Sequence, residues 1–100
     1  MADRVYLLIR DLVFRAKLGA VLERAGGIVS RDPTACDLGV VDCSAPAWED
    51  AVRDLRARGV AVLAFGPHVE VDTLRRARAL GAEAVPNSQV ERRLVELLEE

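Results

Sequence analysis

Short apolar runs rich in β-formers alternate along this chain with stretches whose apolar residues recur at helical spacing. That alternation constrains the fold more than any other feature. Val5-Tyr6-Leu7-Leu8-Ile9 is a continuous apolar run, as expected for a strand buried on both faces. Asp11 follows and is suited to cap a helix. Phe14, Leu18, Val21, Leu22 and Ala25 then form one helical stripe, and Gly26-Gly27 ends it by tolerating left-handed backbone. Ile28-Val29 reads as a short second strand and Leu38-Gly39-Val40-Val41 as a third, closing at Asp42. Pro46 suits the first turn of a helix lined by Trp48, Ala51, Val52 and Leu55 and stopped by Gly59. A fourth strand, Val60 to Phe65, runs into Gly66-Pro67. Leu74, Ala77 and Leu80 mark a further helix ending at Gly81, and Ala84-Val85 is a brief fifth strand. Ser88 and Glu91 have capping-box spacing ahead of a last helix lined by Val90, Leu94, Leu97 and Leu98.

Strands that alternate with helices predict βαβ units, a parallel sheet and right-handed crossovers, hence an α/β fold. One connection breaks the rhythm, because only eight residues separate Val29 from Leu38. A parallel crossover usually takes a dozen or more. Eight extended residues reach about 27 Å, enough to return along a short strand but not to build a helix. The helix between strands two and three is therefore expected to be missing, which leaves about four.

Composition bounds the function. A length of 100 residues suits one domain, 1–100, with a single core, and 51% hydrophobic with 30% charged residues excludes a disordered chain. Only 4% aromatics and a net charge of -2 speak against base stacking and polyanion binding, so no nucleic-acid partner is expected. Cys36 and Cys43 are too few for a disulfide framework and lack metal-ligand spacing, which fits reduced thiols in the cytoplasm. No apolar run approaches the roughly 20 residues that span a bilayer, and Val5–Ile9 is too short for a secretory signal. No P-loop, dinucleotide fingerprint, zinc-protease helix or nucleophile elbow occurs, so neither metal nor cofactor is expected. Arginine outnumbers lysine thirteen to one (Lys17 alone), which reads as coding bias rather than chemistry.

Five features carry a family resemblance: Asp42 at the end of strand three, Pro46 four residues on, Gly66 after strand four, Gly81-Ala82 before strand five, and the stretch Val62-Leu63-Ala64-Phe65-Gly66-Pro67-His68. In order and spacing the chain resembles the receiver domain of two-component response regulators from Val5 to Leu98. The resemblance implies a flavodoxin-like, doubly wound, five-stranded parallel sheet of order 2-1-3-4-5, here without the family's second helix. It also implies four active-site parts at the carboxyl edge of the sheet. An acidic pair and the strand-three Asp hold Mg²⁺, a metal that wants oxygen ligands in octahedral geometry. A small hydroxyl and a Lys complete the set, and the metal and Lys offset charge on the phosphoryl group.

Most of that machinery is replaced. The acidic pair falls on Ile9 and Arg10, neither of which ligates Mg²⁺; Asp42 keeps the phosphoacceptor position; Gly66 stands at the hydroxyl position and Asn87 nearest the Lys position. Asp11, one residue beyond the pair, offers a single carboxylate or a helix cap. Two readings of Asp42 stand: a live phosphoacceptor, or a strand-end Asp, solvated or ion-paired with Arg10, which ends the adjacent strand at the switch point where such sheets bind ligands. A Cys43–His68 nucleophile and a Cys43–His68 zinc site both lack accompanying groups. Trp48 reads as core, its N–H seeking one acceptor. Arg75, Arg76 and Arg78, with Arg92 and Arg93 on the last helix, form either an interaction face or a solvated surface diluted by Asp72, Glu91 and Glu96.

The missing helix is expected to bare strands one and two on one face, and an isologous homodimer is the expected cover. The chain ends with its last helix, so no output domain of its own is expected. The reading that follows is a non-enzymatic, receiver-like regulatory module that works through protein partners. Its alternatives are a single-domain response regulator phosphorylated on Asp42 and a flavodoxin-like small-molecule binder.

Overall fold

The computed structural model describes residues 4–100. Five parallel strands, β1 (Arg4–Leu8), β2 (Ile28–Ser30), β3 (Leu38–Asp42), β4 (Ala61–Gly66) and β5 (Glu83–Pro86), form one sheet in the order β2-β1-β3-β4-β5. Helices α1 (Leu12–Arg24), α2 (Trp48–Ala57), α3 (Val71–Ala79) and α4 (Val90–Glu99) cover its two faces. The alternation in the sequence is thus the alternation in space.

Each central strand feeds two cores. Val5, Leu7 and Ile9 pack with Leu18, Leu22, Leu94 and Leu98 under α1 and α4. Tyr6 and Leu8 point the other way, toward Trp48, Val52, Leu55 and Leu74 under α2 and α3. Both faces are covered, so the strands read as unbroken apolar runs rather than as alternation. All five residues of β3 are buried. Gly39 is required there, since a Cβ would come within 2.6 Å of Leu55 Cδ1. Three helices end where expected, at Gly26, Gly59 and Gly81, with φ of 88°, 77° and 98°.

Two helix starts differ from expectation. Pro46 lies outside α2, which begins at Trp48 after Ala47 in left-handed backbone (φ 58°, ψ 28°). Chain leaving β3 turns through residues 43–47 before the helix can begin, and that tight turn displaces Pro46 from the first helical turn. Ser88 and Glu91 make no capping box: a 3-10 turn, Asn87–Gln89, leads into α4 and no side chain caps it. The tighter turn absorbs Ser88, and Glu91 instead lies 3.5 Å from Lys17 on α1.

The connection between β2 and β3 contains no helix, as expected. Hydrogen-bonded turns fill it: Ser30 Oγ donates to Ala35 O at 2.8 Å, and Asp32 Oδ1 accepts from Thr34 N and Oγ1 at 2.9 and 2.7 Å. Arg58 Nη2 donates to Pro33 O at 3.0 Å and ties the loop to the end of α2. The face over β1 is consequently narrowed to a groove of about 370 Å³ floored by half-buried Tyr6 and Leu8, while Ile28 on β2 stays 61% exposed.

Candidate functional site at the carboxyl edge of the sheet

The register Leu8↔Val41 brings the ends of β1 and β3 side by side, and with them Arg10 and Asp42. Asp42 is only 7% exposed, so its carboxylate needs donors. It has three. Ser44 N and Ser44 Oγ donate to Oδ1 at 2.8 and 2.7 Å, and Arg10 N donates to Oδ2 at 3.1 Å. The Arg10–Asp42 relation expected from sequence is real, but it is made by the backbone. Among the described residues no ion pair joins the Arg10 guanidinium to Asp42; that side chain is exposed. A long exposed side chain loses rotamer freedom for a pair that water screens, and Asp42 is already satisfied.

Ser44 was not among the expected site residues. The signal was present, since an Asp at a strand end accepts from the backbone N–H two residues on in an Asx turn, and a Ser at that place adds a hydroxyl donor.

A pocket of about 360 Å³ opens at this edge, lined by Asp11, Phe14, Asp42, Ser44, Phe65, Pro67 and Asn87. Phe14 and Phe65 meet there with ring centroids 5.4 Å apart, inclined at 57°. Asn87 lines the same pocket as Asp42. Ile9 does not: it is 7% exposed and packs in the α1/α4 core. Asp11 is committed as the cap of α1, its Oδ1 accepting from Val13 N at 2.9 Å and Phe14 N at 3.2 Å. Gly66 offers no hydroxyl, though space is not the reason. A Cβ there would meet Leu74 Cδ2 at 3.6 Å and Cys43 Cβ at 3.7 Å, ordinary contact distances.

The donor set does not fit the Mg²⁺ that the receiver resemblance implies. Beside Asp42, the end of β1 leads into a buried Ile9 and a cationic Arg10, and Asp11 is held in a helix cap. Among the described residues no group of three or more His, Cys, Asp or Glu side chains is placed to hold a metal ion.

Cys43 is no nucleophile at neutral pH. Burial, reinforced by the neighbouring Asp42 charge, pushes its thiol up to about 12. His68 sits in the exposed turn after β4, among residues that make no hydrogen bond to Cys43.

The five arginines divide between two helices, and most of their charge is already matched. Arg75 lies 3.3 Å from Asp72, Arg76 lies 3.2 Å from Glu49, and Arg78 Nη2 donates to Ala84 O at 2.9 Å. Arg93 hydrogen-bonds Glu83 on β5 and Glu96, which holds its guanidinium firmly charged. Arg92 instead lines a groove between α1 and α4 with Val21 and Arg24. The Arg78 contact also covers part of the exposed edge of β5, a natural protection for an edge strand.

No protein-family model matches the chain, and no curated protein matches it in sequence. Solved structures do. A CheY-like response regulator receiver domain protein from Methanospirillum hungatei JF-1 superposes with a TM-score of 0.79 at 14% identity, covering 99% of this chain and 92% of that one. The fold is that of a response-regulator receiver domain. The receiver domain of the TMAO respiratory system response regulator TorR gives 0.81 at 19% identity, covering 97% and 93%. The receiver domain of a sensor histidine kinase from Pseudomonas aeruginosa PAO1, with a magnesium ion coordinated in its active site cleft, gives 0.78 at 18%, covering 99% and 96%. The coverage is nearly full, and this chain has no helix between β2 and β3. No helix among the described residues is long and apolar enough to cross a membrane.

Proposed function

We propose that this chain is a receiver-like signalling module of the cytoplasm whose 100 residues act as one unit through contacts with other proteins, without phosphorylation of Asp42 and without catalysis. The observation that carries the reading is the state of Asp42. Both carboxylate oxygens accept hydrogen bonds from the protein itself, and the positions that would supply metal ligands in the receiver resemblance hold Ile9 and Arg10. Phosphoryl transfer to Asp42 would have to proceed beside these bonds, with no acidic pair to hold a metal and offset the incoming charge. The test is an NMR titration with Mg²⁺ and beryllofluoride, together with intact-mass measurement after acetyl phosphate. The amides of Asp42 and Gly66 stay unmoved and no phosphoryl adduct forms. Saturable shifts at those amides, or an adduct on Asp42, would instead establish the phosphorylated response-regulator reading.

The small-molecule reading has the pocket but not the chemistry for nucleotides, because two carboxylates line it and no Gly-rich loop presents backbone amides to a phosphate. A thermal-shift screen of nucleotides and flavins gives no dose-dependent gain; a gain would promote that reading.

The groove over Tyr6 and Leu8 supports a second copy as one of the partners. Asp50, Asp54 and Arg58 line its rim at four-residue spacing. Two α2 helices packed antiparallel about a two-fold axis set Asp50 opposite Arg58 of the other copy twice and Asp54 opposite its own counterpart once, so two attractive pairs face one repulsive pair. Sedimentation velocity tests this: Arg58→Glu weakens the dimer, and adding Asp50→Arg restores it. A wild-type monomer across the micromolar range overturns it.

A further inference from the structure

The exposed large hydrophobic side chains of the described residues are unevenly placed. Leu12 and Val13 are 76% and 81% exposed, Val69 and Val71 are 71% and 53% exposed, and only Ile28 lies away from these four. Leu12 and Val13 sit between Asp11 and Phe14, both of which line the Asp42 pocket. Val69 follows the pocket-lining Pro67 by two residues, and Val71 opens α3. The apolar surface is therefore concentrated on the two segments that flank the pocket at the carboxyl edge. Leu12 and Val13 at a helix start contribute nothing to the core, and water is a poor neighbour for so large an apolar area.

The pocket between them has a definite sign. Asp42 and Asp11 contribute carboxylates, Ser44 and Asn87 contribute neutral polar groups, Phe14 and Phe65 contribute aromatic rings, and no Lys, Arg or His lines it. Asp42 Oδ2 accepts one hydrogen bond and both cap bonds of Asp11 go to its Oδ1, so acceptor capacity remains on both. Carboxylates beside aromatic faces in a confined space are the chemistry that recognises an organic cation. Anionic ligands are repelled by the same groups. The fold of a cation-assisted site is thus retained while its own cations are gone, and the surrounding rim is apolar.

We infer that this edge docks a partner protein through an apolar segment that inserts one arginine or lysine side chain into the Asp42 pocket, with Leu12, Val13, Val69 and Val71 receiving the apolar residues on either side. The partner's cation stands where a receiver would hold its own. This rests on the reading that Asp42 is unphosphorylated, since a phosphoryl group would fill the pocket with negative charge of its own and abolish the room for the side chain.

Selection of a random dodecapeptide display library on the folded chain tests the inference. Enriched peptides carry Arg or Lys flanked by apolar residues, and their binding weakens as salt rises. Asp11→Ser retains a helix cap but removes one carboxylate, and it weakens the enriched peptides by up to about fivefold. The double variant Leu12→Ser, Val13→Ser weakens them while leaving the fold intact, because neither side chain is in the core. Failure to enrich, enrichment of acidic or cation-free peptides, or equal binding by both variants overturns the inference. So does a wild-type dimer that Leu12→Ser, Val13→Ser dissociates, because the edge would then be covered by a second copy. None of these results bears on phosphorylation, which the acetyl phosphate measurement decides separately.

Discussion

Ser44 wraps the carboxylate of Asp42, its amide at 2.8 Å and its hydroxyl at 2.7 Å from the same oxygen. Three donors on one nearly buried carboxylate make it a structural acceptor that closes the β3–α2 turn. The same arrangement engages both oxygens, Oδ1 with two donors and Oδ2 with one.

Ser44→Ala deletes one charge-assisted hydrogen bond and leaves the two amide donors. The expected cost is about 1–2 kcal/mol, toward the lower end because the pair is only part-buried. Urea unfolding followed by circular dichroism measures it. An unchanged midpoint would show that water replaces the hydroxyl without loss.

Gly66→Ala tests whether glycine is required at the switch position. Its φ is not left-handed, and the new methyl would find neighbours at 3.6 and 3.7 Å. Glycine within a strand costs roughly 0.5–1 kcal/mol of unfolded-state entropy, so the variant is neutral or more stable by up to about that amount. A lower melting temperature would mean that Leu74 or Cys43 cannot yield the space.

Much of this fold was legible because burial on both faces leaves an unmistakable signature. The run Val5–Ile9 and the five residues Leu38–Asp42 could only be central strands, and the short spacing from Val29 to Leu38 already excluded a helix. Asp42 beside the end of β1 followed from the sheet order that the receiver resemblance implies. What escaped was set by single dihedral angles. Nothing in the sequence distinguishes Pro46 inside a helix from Pro46 ahead of one, yet Ala47 at φ 58° decides it. The Ser88–Glu91 spacing was right for a capping box, and a 3-10 turn made it irrelevant. For Arg10 the residue was identified and the atom was not: side-chain charge suggested an ion pair, whereas strand pairing delivered the amide. The exposed Leu12 and Val13 also lie off the helical stripe, which selects buried positions and is silent about surface ones.

Ala47→Gly should stabilise the chain. An alanine in left-handed backbone carries about 1–2 kcal/mol of steric cost, and the greater freedom of glycine in the unfolded chain returns part of it. The net expectation is about 0.5–1 kcal/mol of added stability, read as a higher urea midpoint with unchanged slope. A loss of stability would place the strain elsewhere in the 43–47 turn.

Cys43 gives the chain a pH dependence on the alkaline side. Its thiol is pushed from 9.0 up to about 12, chiefly by burial and then by the Asp42 charge. The folded chain therefore keeps a proton that the unfolded chain releases. Stability from this group is fully present below the ordinary thiol value and falls as pH rises from about 9 toward 12, because the unfolded state then binds fewer protons than the folded one. Cys43→Ser or Cys43→Ala should flatten that part of the stability curve. At pH 8 only about one thiol in ten thousand is ionised, so native Cys43 resists iodoacetamide until urea unfolds the chain. Mass mapping of the alkylated cysteines reads this directly. Fast native labelling of Cys43 at pH 8 would mean that the β3–α2 turn opens far below the cost of global unfolding, and the held state of Asp42 would fall with it.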